Sequence, residues 1–226
     1  MNPLRTPSVS DHQTAGDGAD GDGTDDHDHS DGNGDADDRD HPDGNDHPDG
    51  HGHEHHAHDL ETLGYAIVTV SSSRSIDDDP AGDAVREAVE SVGDRMVTRE
   101  VVTDDYDGVQ QAVNNLVTRD DVDCVVTAGG TGVTPDDVTV EAVEPLFEKR
   151  LPGFGELFRS LSREEVGTAV VATRATAGVA NRVPVFCLPG SENAVRLGAE
   201  EIITEQAAHL AGLAKRGEGD DEDDEE

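Results

Sequence analysis

The sequence predicts an α/β protein: helices on both faces of a mostly parallel sheet, in three α/β/α layers. Three observations predict it. Short β-branched apolar runs alternate with segments whose apolar residues recur at helical spacing. The links between them are short, as parallel crossover units require. The strand-like runs end in polar or glycine-rich loops, where such sheets bind ligands.

Taken in order, "GYAIVTV" (64–70) is a buried strand and "SSSRSIDDD" after it a polar loop. Asp79 is an N-cap and Pro80 a first helical residue. Ala84, Val85, Ala88, Val89 and Val92 then repeat at helical spacing until Gly93 closes the helix. "RMVTREVV" (95–102) is the second strand and "TDDYD" a loop. Val109, Val113, Leu116 and Val117 mark the second helix, and "VDCVVTA" (122–128) the third strand. Beyond the loop "AGGTGVTPDD" (128–137), a helix is expected over 138–148, a break at Pro152–Gly153 and a further helix through Glu165. "TRATAGVANRVPVFCLPG" predicts two strands joined by a tight turn near Asn181. The last helix opens on Ser191 as N-cap and turns Ala194, Val195, Gly198 and Ile202 inward.

Composition divides the 226 residues into three. Residues 1–59 and 215–226 hold too little apolar surface to offset ordering entropy, so both are expected to be disordered acidic tails. Residues 60–214 form one domain of ordinary size. The net charge of −36 is not only in the tails, because the middle part carries 27 acidic against 12 basic residues, one of them Lys. Such a surface suggests a halophile, in which salt screens self-repulsion. It excludes nucleic acid as a partner, since there is no basic stripe. No apolar run reaches a membrane span and no secretory h-region opens the chain, so a cytoplasmic protein is expected. Cys124 and Cys187 fall in apolar strands and read as buried free thiols. Ten of the 11 histidines lie in residues 1–59; Zn²⁺, Ni²⁺ or Cu²⁺ suits imidazole, but a Gly-Asp-rich chain supplies no fixed geometry, so weak metal scavenging is the plainer reading.

The predicted sheet brings three loops to one edge: Ser71–Ser73, Asp104–Asp105, and Gly129–Gly132 with Asp136 and Asp137. Glycines let backbone N–H groups turn toward an anion and form a nest, which binds phosphate without a Lys. Carboxylates beside an anion make sense if a divalent cation lies between them, and Mg²⁺ is held by one or two carboxylates plus substrate phosphates. The alternative is purely local: Asp104 or Asp105 capping the second helix, Asp137 capping the next.

The segment from "TAGGTG" through "LPGFGELFR", "TRATAG" and "LPGS" resembles the MoaB/MogA family of molybdenum cofactor biosynthesis proteins, and its MoaB branch more than MogA. The resemblance spans roughly residues 62–213. It implies the molybdopterin-binding, MogA-like three-layer fold, assembled as a homo-trimer or homo-hexamer. It implies Mg²⁺-dependent adenylyl transfer from ATP to molybdopterin, with hand-over of the product to a molybdate-inserting protein. Carried over by motif, Asp104 and Asp137 are the catalytic and Mg²⁺ carboxylates. Ser71, Gly129, Gly130, Thr131 and Gly132 hold nucleotide phosphates, and Thr173, Glu156 and Ser191 contact molybdopterin. Two departures stand out: Ser72 replaces an Asp of the "VSDTR" pattern, and Asp136 stands where many members have Arg. A non-catalytic molybdopterin-binding or assembly protein of the MoaB type is the alternative function.

Overall fold

The structure, a computed structural model, describes residues 62–216. The segments expected to be tails, with the histidine-rich stretch, lie outside these residues apart from Lys215 and Arg216. Within 62–216 the chain forms six strands: β1 Gly64–Val70, β2 Arg95–Val102, β3 Cys124–Ala128, β4 Lys149–Arg150, β5 Thr176–Ala180 and β6 Val183–Leu188. The helices are α1 Pro80–Ser91, α2 Tyr106–Leu116, α3 Thr139–Val143, α4 Pro152–Val166, α5 Glu192–Gly198 and α6 Thr204–Ala214.

The strands make one sheet in the order β2-β1-β3-β6-β5-β4. β2, β1, β3 and β6 are mutually parallel. Only β5 runs against them, paired antiparallel with β6 on one side and β4 on the other. The antiparallel β5–β6 pair follows from its two-residue turn, in which Asn181 and Arg182 both take positive φ, the geometry of a tight hairpin. Parallel neighbours instead need the helical crossovers that separate β1, β2 and β3.

Burial alternates along the strands onto two cores. Tyr65, Ile67, Val126, Ala128, Phe186 and Leu188 pack with α1, α4, α5 and α6. Ala66, Val68, Val70, Val125, Val185 and Cys187 pack with α2 and α3. A sheet covered on both faces has apolar residues at every position, which is why β1, β3 and β6 are unbroken apolar runs. The three-layer, mostly parallel fold is therefore as the sequence predicts, and both cysteines are buried free thiols.

Four local expectations need correction. The helix expected over 138–148 stops at Val143 and tightens into a 3-10 turn, Glu144–Leu146. Pro145 explains this: it lacks the N–H an α-helix interior needs and clashes with the preceding turn. The two-residue β4 that follows carries only exposed, charged side chains, so no apolar pattern announces it. Val92 is the exposed C-cap of α1 rather than part of its buried face. Ser191 sits at the N-cap of α5 but makes no capping bond. The helix it opens continues through a π-helical turn, Ala199–Ile203, into α6.

Candidate functional site

In this sheet order β1 leads to β2 on one side while β3 lies on the other. The strand order reverses between β1 and β3, and ligands of open α/β sheets bind outside the strand C-termini at that point. The loops after β1, β2, β3 and β6 all leave from this edge. Their closeness is measurable: a side chain on Gly129 would lie 2.3 Å from the Val70 carbonyl oxygen, and one on Gly190 would lie 3.1 Å from Gly129 Cα. Ser71, the first residue after β1, donates its N–H to the Val102 carbonyl at the end of β2 (2.8 Å).

Asp104 and Asp105 separate cleanly. Asp105 caps α2, accepting from the Gly108 N–H at 2.8 Å, and that bond first, then the Thr103 hydroxyl, holds its carboxyl below the ordinary range. Asp104 instead turns to the β1 loop, where Oδ2 accepts the Ser72 N–H (3.0 Å) and hydroxyl (2.7 Å). The Ser at position 72 thus anchors the carboxylate that an Asp there would repel.

Asp137 does not cap α3, whose N-terminal residue Val138 has no side-chain cap. Its Oδ2 accepts the Thr134 N–H and hydroxyl, both at 2.7 Å. Partial burial pushes this carboxyl up, but the Thr134 hydroxyl and N–H, the Gly132 N–H and the charge of Arg174 outweigh it and hold it below the usual value. Asp104 is thus anchored through Oδ2 by Ser72, and Asp137 through Oδ2 by Thr134 with the Gly132 N–H also serving its carboxylate.

In the glycine loop the backbone carbonyls point inward. The carbonyl of Gly129 accepts the Thr139 hydroxyl (2.7 Å) and that of Gly130 the Thr139 N–H (3.0 Å). The carbonyl of Thr131 accepts the Arg174 N–H (2.9 Å) and that of Gly132 accepts Arg174 Nε (2.6 Å). No peptide among the described residues is cis. In a trans peptide the N–H points opposite to the C=O. The four amides that follow, Gly130, Thr131, Gly132 and Val133, therefore face away from Thr139 and Arg174. Gly132 N–H serves Asp137; those of Gly130, Thr131 and Val133 meet no backbone acceptor among the described residues. Positive φ at Gly129 (115°) and Gly130 (66°) makes this turn possible. A side chain at Gly130 would also lie 2.2 Å from Thr139 Oγ1. The Thr131 hydroxyl is buried without a partner, an orphan polar group beside the outward amides.

The residues that the resemblance gave to molybdopterin fall on two cavities. Thr173 and Ser191 line one of about 600 Å³ together with Phe158 and the buried, unpartnered Ser162 hydroxyl. Thr173 also lines a second, of about 510 Å³, with the exposed Glu156 and with Arg150, Arg159 and Arg174. Glu156 and Ser191 thus open into neighbouring cavities with Thr173 on both walls. Thr139 and Arg174 carry no sequence signal of a site. Their partners lie about ten and forty residues away in the chain, so no local pattern exposes them.

A profile of the family described as "Probable molybdopterin binding domain" matches residues 66–209. The chain belongs to the MoaB/MogA family. It is 39% identical over 158 residues to the molybdenum cofactor biosynthesis protein B of Bacillus subtilis, covering 70% of this chain and 93% of that one. With the Escherichia coli K12 protein of the same name, identity is 41% over 141 residues, covering 62% and 83%. The crystal structure of the tungsten cofactor synthesizing protein MoaB of Pyrococcus furiosus superposes with a TM-score of 0.61 at 39% identity, over 69% of this chain and 98% of that one. The family's fold is the one described above, and its matched span ends inside α6, so it takes in both carboxylates, the glycine loop and both cavities.

Proposed function

We propose that the protein works in molybdenum or tungsten cofactor biosynthesis as a molybdopterin adenylyltransferase, moving AMP from ATP to the terminal phosphate of molybdopterin. The observation that carries the reading is the glycine loop: four carbonyls bound inward, the amides of Gly130, Thr131 and Val133 turned outward, and the anchored carboxylates of Asp104 and Asp137 in loops at the same sheet edge. Outward amides suit phosphate oxygens. Among the described residues no group of three or more His, Cys, Asp or Glu side chains forms a metal cage. Two carboxylates, fewer than a protein cage needs, would leave a cation to complete its shell with phosphates and water, as Mg²⁺ does.

In the reaction, an oxygen of the molybdopterin phosphate forms a bond to the α-phosphorus of ATP. The bond from that phosphorus to the bridging oxygen breaks, and pyrophosphate leaves with the electron pair. The attacking phosphate is already anionic, so no general base is required. The amides of the glycine loop and the Thr131 hydroxyl hold phosphate oxygens in line. Asp104 and Asp137 would hold Mg²⁺, whose charge would offset that of the pyrophosphate group. Thr173 and Ser191 orient molybdopterin from the cavity floored by Phe158, and Glu156 bounds the adjoining one. Assembly as a homo-trimer or hexamer and hand-over of the adenylylated product to a molybdate-inserting protein belong to the same reading.

The test is ATP-dependent formation of adenylylated molybdopterin in molar salt with Mg²⁺. Asp104→Ala and Asp137→Ala should each slow it by roughly 10²-fold or more. A wild-type protein that binds molybdopterin but forms product no faster than these variants would establish the non-catalytic assembly role instead.

A further inference from the structure

Arg174 leaves the loop before β5, yet its side chain is spent on the loop after β3. Nε donates to the Gly132 carbonyl at 2.6 Å and Nη2 to the Asp137 carbonyl at 2.8 Å. Nη1 pairs with Glu141 on α3, and the backbone N–H takes the Thr131 carbonyl at 2.9 Å. One residue therefore grips both ends of the segment 131–137 and the helix that follows. The side chain is largely covered, its exposure 33%. All three guanidinium nitrogens are already engaged with protein oxygens.

We infer that Arg174 is a positioning residue: its planar fork ties the Gly132 and Asp137 carbonyls together, and so fixes the outward amides and Asp137 as one rigid phosphate-and-cation site. The inference rests on the adenylyltransferase reading for its catalytic consequence, but not for its binding consequence. The physical reason is geometric. Rotating the Gly132–Val133 peptide would bring its carbonyl to the phosphate side and withdraw the Val133 N–H, converting an attraction into a repulsion. Nothing local prevents that rotation, because glycine on the N-terminal side of the peptide tolerates many ψ values. The bond from Arg174 Nε prevents it. The same guanidinium supplies positive charge to the loop, where Asp136 occupies the place at which an Arg was expected from the family pattern.

A fork is needed, not only a charge. An ammonium is a point donor on a flexible stem and cannot hold two carbonyls and a carboxylate in one plane. Arg174→Lys keeps the charge and the aliphatic stem; Arg174→Gln removes the charge. Both are compared with the wild type in 3 M KCl by three measurements: thermal melting, calorimetric binding of inorganic pyrophosphate with Mg²⁺, and the separate kcat and KM of adenylyl transfer. The expected result is pyrophosphate affinity down by roughly 10- to 100-fold in both variants, the scale on which supporting contacts act. kcat should fall by a similar factor, while Arg174→Lys melts within a few degrees of wild type.

Wild-type pyrophosphate affinity in a folded Arg174→Lys protein overturns the inference. So does a loss of affinity that appears only in proportion to unfolding, because that marks a merely structural contact. Should Arg174→Gln fail to fold, the Lys variant decides alone. If the wild type binds pyrophosphate and the variants do not, yet no protein transfers AMP, Arg174 keeps its role and the adenylyltransferase reading is what falls.

Discussion

Asp104 and Asp105 are neighbours with different work, and the difference lies in where their hydrogen bonds go. One secures α2, the other faces the β1 loop through Ser72. The sequence puts both at the right sheet edge, because each follows a strand and precedes a helix. It cannot say which of them caps, since either spacing to the helix is acceptable. The glycines of the β3 loop were legible for a sound reason, while their gatekeeper was not: Thr139 looks like any helix-start residue until the fold brings it under Gly130. Gly130 then yields a sharp prediction. Alanine there must adopt a φ near +66° and place its Cβ 2.2 Å from the Thr139 hydroxyl oxygen. A left-handed non-glycine residue costs about 1–2 kcal/mol before any clash. Gly130→Ala should fold in molar salt with a lower melting temperature and lose pyrophosphate binding out of proportion to that loss. Thr139→Ser, which keeps the hydroxyl, should retain binding, and a calorimetric titration of both variants checks the pair.

At the scale of elements, the helices read best where cap, proline and apolar period agree, as in α1. Asp79 accepts the Gly82 N–H at 3.0 Å, so the predicted cap is real. What the sequence hides is that the same carboxylate also takes the Thr69 hydroxyl at 2.6 Å and pairs with Arg99 from β2 at 2.8 Å, with its side chain wholly buried. Asp79 therefore joins β1, α1 and β2. Elements failed to read where long-range packing decided them. β4 exists to pair the outer edge of β5, and Gly178 there leaves room for the Phe147 ring, which a Cβ would meet at 2.4 Å. No window of ten residues contains that information. Removing one member of a buried ion pair strands the other and costs about 3–5 kcal/mol. Asp79→Ala should thus lower the melting temperature by roughly 6–20 °C for a domain of this size. Asp79→Asn, which can keep the Gly82 cap through its single amide oxygen, should lose less. Equal losses would mean that the charge on Asp79 carries the whole effect.

For the whole molecule the deciding quantity is charge. Many cations of the domain are already committed: Arg86, Arg99, Arg119, Arg150, Arg174 and Arg196 each hold at least one carboxylate. With 27 acidic and 12 basic residues over 60–214, the surplus carboxylates have one another for neighbours. Their repulsion acts over about 10 Å at 0.1 M salt and about 3 Å at 1 M. Folding concentrates these charges, so it should be opposed in dilute buffer and progressively relieved by salt. At pH 7 the melting temperature is expected to climb steadily from 0.1 to 3 M KCl; a flat profile would remove the basis for reading the surface as salt-adapted. Acid separates the two kinds of carboxylate. Hydrogen bonding from Arg99 and from Arg174 leads in holding Asp83 and Glu141, respectively, below their ordinary values, and the net of burial and hydrogen bonding does the same for Asp137. A carboxyl whose pKa is lower folded than unfolded stabilises the fold fully above its unfolded value and loses that contribution as pH falls through its folded one. In 3 M KCl, with long-range repulsion screened, stability should therefore hold down to about pH 4.5 and decline once pH passes below about 3.8, the ordinary values of Glu and Asp. In 0.1 M KCl the same acidification also discharges the repelling surplus, so the decline should begin later and from a lower plateau. Melting curves collected across pH at both salt concentrations test this, and a decline that begins at the same pH in both would show that paired carboxylates alone set the acid limit.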